Sequence, residues 1–248
     1  PGVKGKDEVA DQEADDGEAL GGLQDRLWAE RRRSVLLVLQ GMDTSGKSGV
    51  IKHVGRALNP HGMAVKGFRA PSEEERAHDF LWRIRRALPA FGQVGIFDRS
   101  HYEDVVVVRV HGWVPETEWR GRYDAINRFE EELAGFGTTV VKCFLHISSD
   151  YQRERLLARL EDPEKHWKFR PEDIDERRLW PAYQEAYADA VRYCSSAAPW
   201  YVVPADRKWY RQWAVTRLLI ETLTGMDPRY PEPDFDVEEQ KARLAPPN

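Results

Sequence analysis

Five aliphatic residues in a row, Val35-Leu36-Leu37-Val38-Leu39, run almost directly into Gly41-Met42-Asp43-Thr44-Ser45-Gly46-Lys47-Ser48. An unbroken apolar strand must be buried on both faces, which demands a parallel sheet with helices above and below it. The octapeptide fills every fixed position of G-x-x-x-x-G-K-[ST]. A helix is expected from Lys47 to Leu58, stopping at the turn Asn59-Pro60-His61-Gly62. Strand, glycine-bearing bend and helix in that order point to an anion cradle. The glycines let the backbone curl so that successive N–H groups face one phosphate, and the helix N-terminus adds its positive end. Gly41, Thr44, Ser45, Gly46, Lys47 and Ser48 form the expected phosphate-binding set. Lys47 brings a mobile point charge and Ser48 a hydroxyl within reach of a divalent ion.

The rest of the 248 residues repeats this alternation of short apolar runs and helical patterns. Further strands are expected at Met63 to Gly67, Val94 to Phe97, Val140 to Ile147 and Trp200 to Val203. Helices are expected from Pro71, where Ser72 and Glu75 have capping-box spacing, and at Glu116 to Leu133, Asp150 to Leu160, Glu176 to Tyr193 and Trp209 to Thr224. Five strands alternating with helices indicate a three-layer α/β fold with a five-stranded parallel sheet and helices on both faces. We read residues 22–226 as one domain, residues 1–21 as a disordered acidic arm, and residues 227–248 as a Pro- and charge-rich tail.

Composition narrows the function. The net charge is −5 and the pI near 5.9, which disfavours a globally basic surface and hence a nucleic-acid partner. The longest apolar runs, Val35 to Leu39 and Val105 to Val108, are strand-sized, so no transmembrane helix and no membrane partner is expected. The acidic first residues lack the apolar core of a signal peptide. Cys143 and Cys194 read as two buried thiols. A cytoplasmic protein is expected.

Asp43 is the informative departure from an ordinary cradle. A carboxylate inside an anion-binding loop repels phosphate unless a cation stands between them. Asp43 is therefore expected to ligate a divalent ion, Mg²⁺ or Mn²⁺, with a second carboxylate from the end of a neighbouring strand. Asp98, ending Val94 to Phe97, fits that role, and Arg99 places a guanidinium beside the same phosphates.

Several longer blocks resemble the polyphosphate kinase 2 family. They are Gly41 to Lys47, His78-Asp79-Phe80-Leu81-Trp82-Arg83 within Pro71 to Arg83, Phe97-Asp98-Arg99-Ser100-His101-Tyr102-Glu103-Asp104, Trp167-Lys168-Phe169 and Pro199 to Tyr210. The resemblance spans about Leu23 to Leu223 in order. It implies a P-loop kinase fold with a helical lid over residues 153–178. It also implies phosphoryl transfer between inorganic polyphosphate and a nucleotide with Mg²⁺, in a homo-oligomer, dimer or tetramer. By position, Asp43 and Asp98 match the family's metal-binding carboxylates, Lys47 its loop lysine, Arg99 the arginine after the second Asp, and Arg159 the arginine leading into the lid. Asp43, Lys47, Asp98, Arg99 and Arg159 are thus the expected catalytic set. Gln40 to Thr44 and Asn59 to Gly62 look most like the class that phosphorylates both nucleoside mono- and diphosphates. Members of that class often carry Asn at the position of Asp98, and an Asp there is the pattern of the other classes.

The chemistry agrees with the resemblance. A phosphate acceptor is largely deprotonated near pH 7, since its second pKa is roughly 6, so positioning and charge neutralisation are needed rather than a base. Lys52, Lys66, Arg69, Arg83, Arg155, Lys168 and Arg170 are candidate lining for a polyphosphate groove. The lid segment carries eight basic and eight acidic residues between Arg153 and Arg178, so it is no net cationic patch. His101 and Tyr102, beside Asp98 and Arg99, are expected near the nucleotide. A conventional ATP-dependent kinase and a non-enzymatic nucleotide-binding regulator are the competing readings. A GTPase is excluded by the lack of an Asn-Lys-x-Asp guanine reader.

Overall fold

A computed structural model describes residues 5–244 of the protein. The chain opens with α1 (Lys6–Glu30), β1 (Ser34–Gln40), α2 (Lys47–Val54) and β2 (Met63–Gly67). Two short helices, α3 (Glu73–Arg76) and α4 (Trp82–Arg85), precede β3 (Val94–Asp98), α5 (Glu103–Val110) and α6 (Glu116–Gly135). Then come β4 (Thr138–His146), α7 (Ser149–Glu161), α8 (Glu172–Arg178) and α9 (Trp180–Tyr193). β5 (Trp200–Pro204), α10 (Lys208–Met226) and α11 (Val237–Leu244) complete it.

All five expected strands form, and they pair in parallel in the order β2-β3-β1-β4-β5. Every residue of β1 is buried. Alternation splits it between two cores: Leu36 and Val38 pack with α5, α6 and α9, whereas Val35, Leu37 and Leu39 pack with α1, α2 and α10. This is the three-layer arrangement the continuous apolar run requires. The chain adds β2 and β3 on one side of β1 and β4 and β5 on the other. The carboxyl end of β1 is therefore where strand order reverses, the position at which open α/β sheets bind ligands. Among the described residues no helix is long and apolar enough to cross a membrane. Both cysteines are free and buried, and burial pushes the Cys143 thiol up to about 12.

The structure departs from the sequence reading in several places, and the helix expected from Glu176 to Tyr193 is divided between α8 and α9 at Leu179. The expected disordered arm is, from Lys6 onward, the opening of α1, while residues 1–4 lie outside the described residues. Leu20, Leu23 and Leu27 make a buried stripe against α10, and Asp16 pairs with Arg217 at 2.9 Å. Acidic composition marked only the solvent face of this helix. Val105 to Val108, strand-sized in sequence, lie in α5, because burying Val105 and Val106 beneath α6 and α9 outweighs the weak helix preference of valine. The Ser72–Glu75 capping box forms, but its helix ends at Arg76, and Asp79 Oδ1 accepts from Leu81 N at 3.0 Å to start a separate turn. The tail expected at residues 227–248 contains the exposed helix α11, capped by Asp236, which accepts from Glu238 N and Glu239 N at 2.9 and 3.0 Å. Residues 245–248 lie outside the described residues.

One polar group crosses the apolar core. Lys142 on β4 and Glu130 on α6 form a fully buried ion pair. The lysine also donates to Tyr102 Oη at 2.9 Å and Cys194 O at 2.6 Å, and Tyr102 Oη donates to Glu130 Oε1 at 2.8 Å. Removing one partner of such a pair strands the other charge. Glu130→Ala is expected to cost about 3–5 kcal/mol of stability. The apolar double replacement Glu130→Leu with Lys142→Met should cost clearly less, and urea unfolding of the three proteins compares the two.

Candidate functional site

The loop between β1 and α2 is held in its curl by its own lysine. Lys47 Nζ donates to Gly41 O at 2.7 Å and to Met42 O at 3.3 Å, and Ser45 N donates to Met42 O at 3.1 Å. Gly46 at φ +95° adopts a backbone that side-chain-bearing residues rarely take. Gly41 is needed for space, since a Cβ there would fall 2.7 Å from Leu145 O. Thr44, at φ +70°, carries the same strain without being glycine. The Thr44 and Ser45 hydroxyls are buried with no hydrogen-bond partner. Orphaned hydroxyls in a loop at a helix N-terminus fit an oxyanion site.

Strand register brings the second half of the site alongside. Asp98 pairs with Leu39 on one flank and Gly67 on the other, and Arg99 N donates to Leu39 O at 3.0 Å. Arg99, at φ +64°, turns its guanidinium to Asp43 Oδ1 at 2.8 Å and lies 3.7 Å from Glu103. Burial alone would raise the Asp43 carboxyl, but Lys47, Arg99, Arg170 and Arg159 outweigh it and hold Asp43 below the usual carboxylate range. Lys47 is pushed down by burial and by Arg99, against the pull of Asp43, Asp98 and Glu103. Asp43, Lys47, Asp98 and Arg99 are thus brought together. Two carboxylates supply the hard oxygen donors that Mg²⁺ takes. Among the described residues no cluster of three or more acidic, His or Cys side chains is arranged to hold a metal. Asp43 and Asp98 are the residues that would hold such an ion, and it would supply charge neutralisation for bound phosphate.

The segment after β4 lies against the loop. Gln152 on α7 donates to Asp43 O at 3.2 Å, and Arg177 on α8 donates to Ser149 O at 2.6 Å and Gln152 Oε1 at 3.3 Å. Arg159 donates to Lys168 O at 2.9 Å and Asp173 Oδ2 at 3.4 Å, tying α7 to the start of α8. Its charge, with that of Arg170, reaches Asp43. Arg155 and Lys168 are exposed, the lysine 4.9 Å over the Trp167 ring. On the β2 side, Lys66 and Arg69 follow the register to the carboxyl end of the sheet. A cleft of about 220 Å³ joins Lys66 and Arg83 with Trp82, Arg86, Glu74 and Glu75. Arg83 is not a free cation, because it pairs with Asp104 at 3.3 Å and donates to Arg69 O at 2.8 Å. Lys52 is exposed on α2, about one and a half turns beyond Lys47.

His101 and Tyr102 require a correction. Both are fully buried and turn into the core, His101 Nε2 lying 3.3 Å from Glu130 Oε1 and Tyr102 joining the Lys142 network. They are placed to anchor the turn that presents Arg99 from within the core, away from the surface where a ligand would bind. Glu103, one residue on, was missed as a site residue. The Gln40 amide, oriented to satisfy both neighbours, donates to Glu103 Oε1 at 2.9 Å and accepts from Ser100 at 3.0 Å. Gln152, Arg177 and Arg211 carry no signature of their own in a single sequence, and that of Glu103 is slight. Only the spacing Asp98-Arg99-x-x-x-Glu103, a strand end followed one helical turn later by an acid, hinted at it.

Comparison with known proteins gives the family and the fold. The family model described as Polyphosphate kinase 2 (PPK2) matches residues 4–231. An AMP/ADP-polyphosphate phosphotransferase of Meiothermus ruber is 52% identical over 217 residues, 87% of this chain and 81% of that protein. An ADP-polyphosphate phosphotransferase of Rhodopseudomonas palustris is 44% identical over 228 residues, 87% of this chain and 79% of that protein. The crystal structure of polyphosphate kinase 2 from Arthrobacter aurescens TC1 superposes with a TM-score of 0.96 at 46% identity, covering 98% of this chain and 88% of that one.

Burial raises the Glu103 carboxyl above its ordinary value despite Arg99 and Lys47. A carboxyl raised in the fold costs stability once ionised, so the cost grows as pH rises from the unfolded value, about 4.3, through the folded one. Glu103→Gln is therefore expected to melt higher than the parent at pH 7 while its turnover falls. The melting gap should close below about pH 4, where both carboxyls are protonated, and thermal melts across pH 3–8 measure it.

Proposed function

The chain belongs to the polyphosphate kinase 2 family and is a phosphotransferase, and on that footing we propose that it moves phosphoryl groups between inorganic polyphosphate and nucleotides. AMP and ADP are the acceptors, becoming ADP and ATP, with Mg²⁺ as the cofactor. The observation that carries this reading is Asp43, a carboxylate kept ionised inside a loop shaped for oxyanions. Asp43 and Asp98 would hold the ion, which when bound would neutralise phosphate charge.

The protein's own residues do the rest. Lys47 and Arg99 meet the phosphoryl group as charge gathers on its oxygens. The acceptor oxygen attacks the terminal phosphorus of polyphosphate, a new P–O bond forms, and the bond to the bridging oxygen breaks, leaving the shortened chain with the electron pair. No proton need move. His101, buried against Glu130, is placed for no acid–base role, which suits a reaction that needs none. For transfer to ADP one phosphoanhydride breaks as another forms, so the reaction is reversible. Residues 153–178 act as the lid, with Arg159 and Arg170 bringing charge to Asp43 and the closed segment excluding water. A homo-oligomer, dimer or tetramer, is proposed on the same family resemblance.

A matrix of donors (polyphosphate, ATP) against acceptors (AMP, ADP, GMP, GDP) tests the reading. Polyphosphate with AMP or ADP is expected to yield ADP or ATP. Failure with polyphosphate beside robust ATP-driven phosphorylation of another acceptor would instead favour a conventional kinase. Asp43→Asn is expected to cut turnover about a hundredfold or more with its melting temperature nearly unchanged. Full turnover in that variant would remove the carboxylate-bound ion from the mechanism.

A further inference from the structure

Arg211 lies on α10, outside every sequence block that pointed to the site, yet its guanidinium is buried against the phosphate loop. A Cβ built on Gly46 would fall 2.4 Å from Arg211 Nε, 2.5 Å from Cζ and 2.7 Å from Nη2. Gly46 is thus required twice, once by its φ and once by this contact. Arg211 Nη1 donates to Ala205 O at 2.6 Å and to the Tyr151 hydroxyl at 3.1 Å, while Nε is buried without a partner. Among the described residues no carboxylate forms an ion pair with Arg211. A buried cation left unpaired is costly unless it serves an anion nearby, and the loop it backs is built for one.

Tyr151 belongs to the first turn of α7. The next residue, Gln152, donates to Asp43 O, three residues before Gly46 in the loop. Neighbouring residues of one helical turn therefore meet the loop at two points, Gln152 by a hydrogen bond at residue 43 and Tyr151 through Arg211, whose guanidinium packs against residue 46.

We propose that Arg211 is a positioning residue for phosphoryl transfer. It fixes the curvature of the loop at Gly46, sets positive charge behind it and, through Tyr151, joins the loop to the root of the lid helix. It touches no substrate and acts through the loop. The kinetic form of this inference rests on the function proposed above. It also implies that lid movement begins beyond Gln152, because the first turn of α7 is fixed to the loop.

The test uses the full chain with polyphosphate and ADP, reading kcat, both KM values, tripolyphosphate affinity by calorimetry and the melting temperature. Tyr151→Phe removes one hydroxyl and is expected to lower both kcat and tripolyphosphate affinity about fivefold. The KM for ADP should stay within about twofold, and the melting temperature within about 4 °C. Arg211→Met should lose more, and Arg211→Lys should recover part of that loss by restoring the charge. The Tyr151→Phe/Arg211→Met double variant should be no slower than Arg211→Met alone, since both changes act through one contact. Parental kcat and tripolyphosphate affinity in Tyr151→Phe, or a double variant slowed by the product of the two single effects, would overturn the inference. If Arg211→Met does not fold, Tyr151→Phe alone decides. If the unaltered chain transfers nothing from polyphosphate, the proposed function fails while tripolyphosphate affinity still decides this inference: weaker binding in Tyr151→Phe upholds it and equal binding ends it.

Discussion

Asp43 and Arg99 meet at 2.8 Å across the mouth of a loop whose other groups attract anions. That ion pair sets the terms for the site. Unopposed, the carboxylate would weaken the cradle, and burial would drive it to take up a proton. Lys47 from below and Arg99 from the side keep it charged, while Arg159 and Arg170 add to the same field from the far segment. The arrangement holds a negative charge where negative ligands arrive, which makes chemical sense with a divalent cation between the two. Phosphoryl transfer between polyanions needs that kind of charge matching more than it needs acid–base groups.

The fold delivers these charges by register. β1 is buried on both faces and fixed between β3 and β4, so the loop leaving it cannot drift without disturbing both cores. Leu39 lies opposite Asp98, which puts the end of β3 beside the start of the loop. The turn after β3 is anchored from beneath by Tyr102 and His101 in the Lys142–Glu130 network. A buried ion pair is poor evidence for stability. Its position here, directly under the residue that presents Arg99, gives it geometry to hold.

Much of this was legible in the sequence, for definable reasons. The five strands were readable because continuous or short apolar runs ended on Gly, Ser, Asp or Pro. The loop was readable because its glycines and lysine are dictated by backbone shape and charge at fixed spacing. Asp43 stood out because it contradicts its surroundings. The features that escaped depend on a partner distant in the chain. The helix at Lys6 is stabilised by α10, two hundred residues later, so its acidic composition misled. The valines of α5 are helical only because α6 and α9 cover them. His101 and Tyr102 sit next to site residues in sequence, but the turn after Arg99 sends them to the opposite side of the backbone. Arg211 is the reverse case, remote in sequence and in contact with the loop.

Two of the four described non-glycine residues with positive φ lie at the site and show where rigidity is spent. Thr44 and Arg99 both adopt positive φ without being glycine, a conformation that costs roughly 1–2 kcal/mol each. Glycine at either position would relieve the strain but loosen the backbone and, at Arg99, remove the guanidinium itself. The core absorbs the cost, since β1 and its neighbours bury enough apolar surface to fix both turns. Loop and Arg99 are thus held rigid by the sheet and its core network, whereas the segment beyond Gln152 meets them mainly through exposed or half-exposed charged groups. On the lid proposed above, this division gives two polyanions a fixed cradle beneath a lightly attached cover.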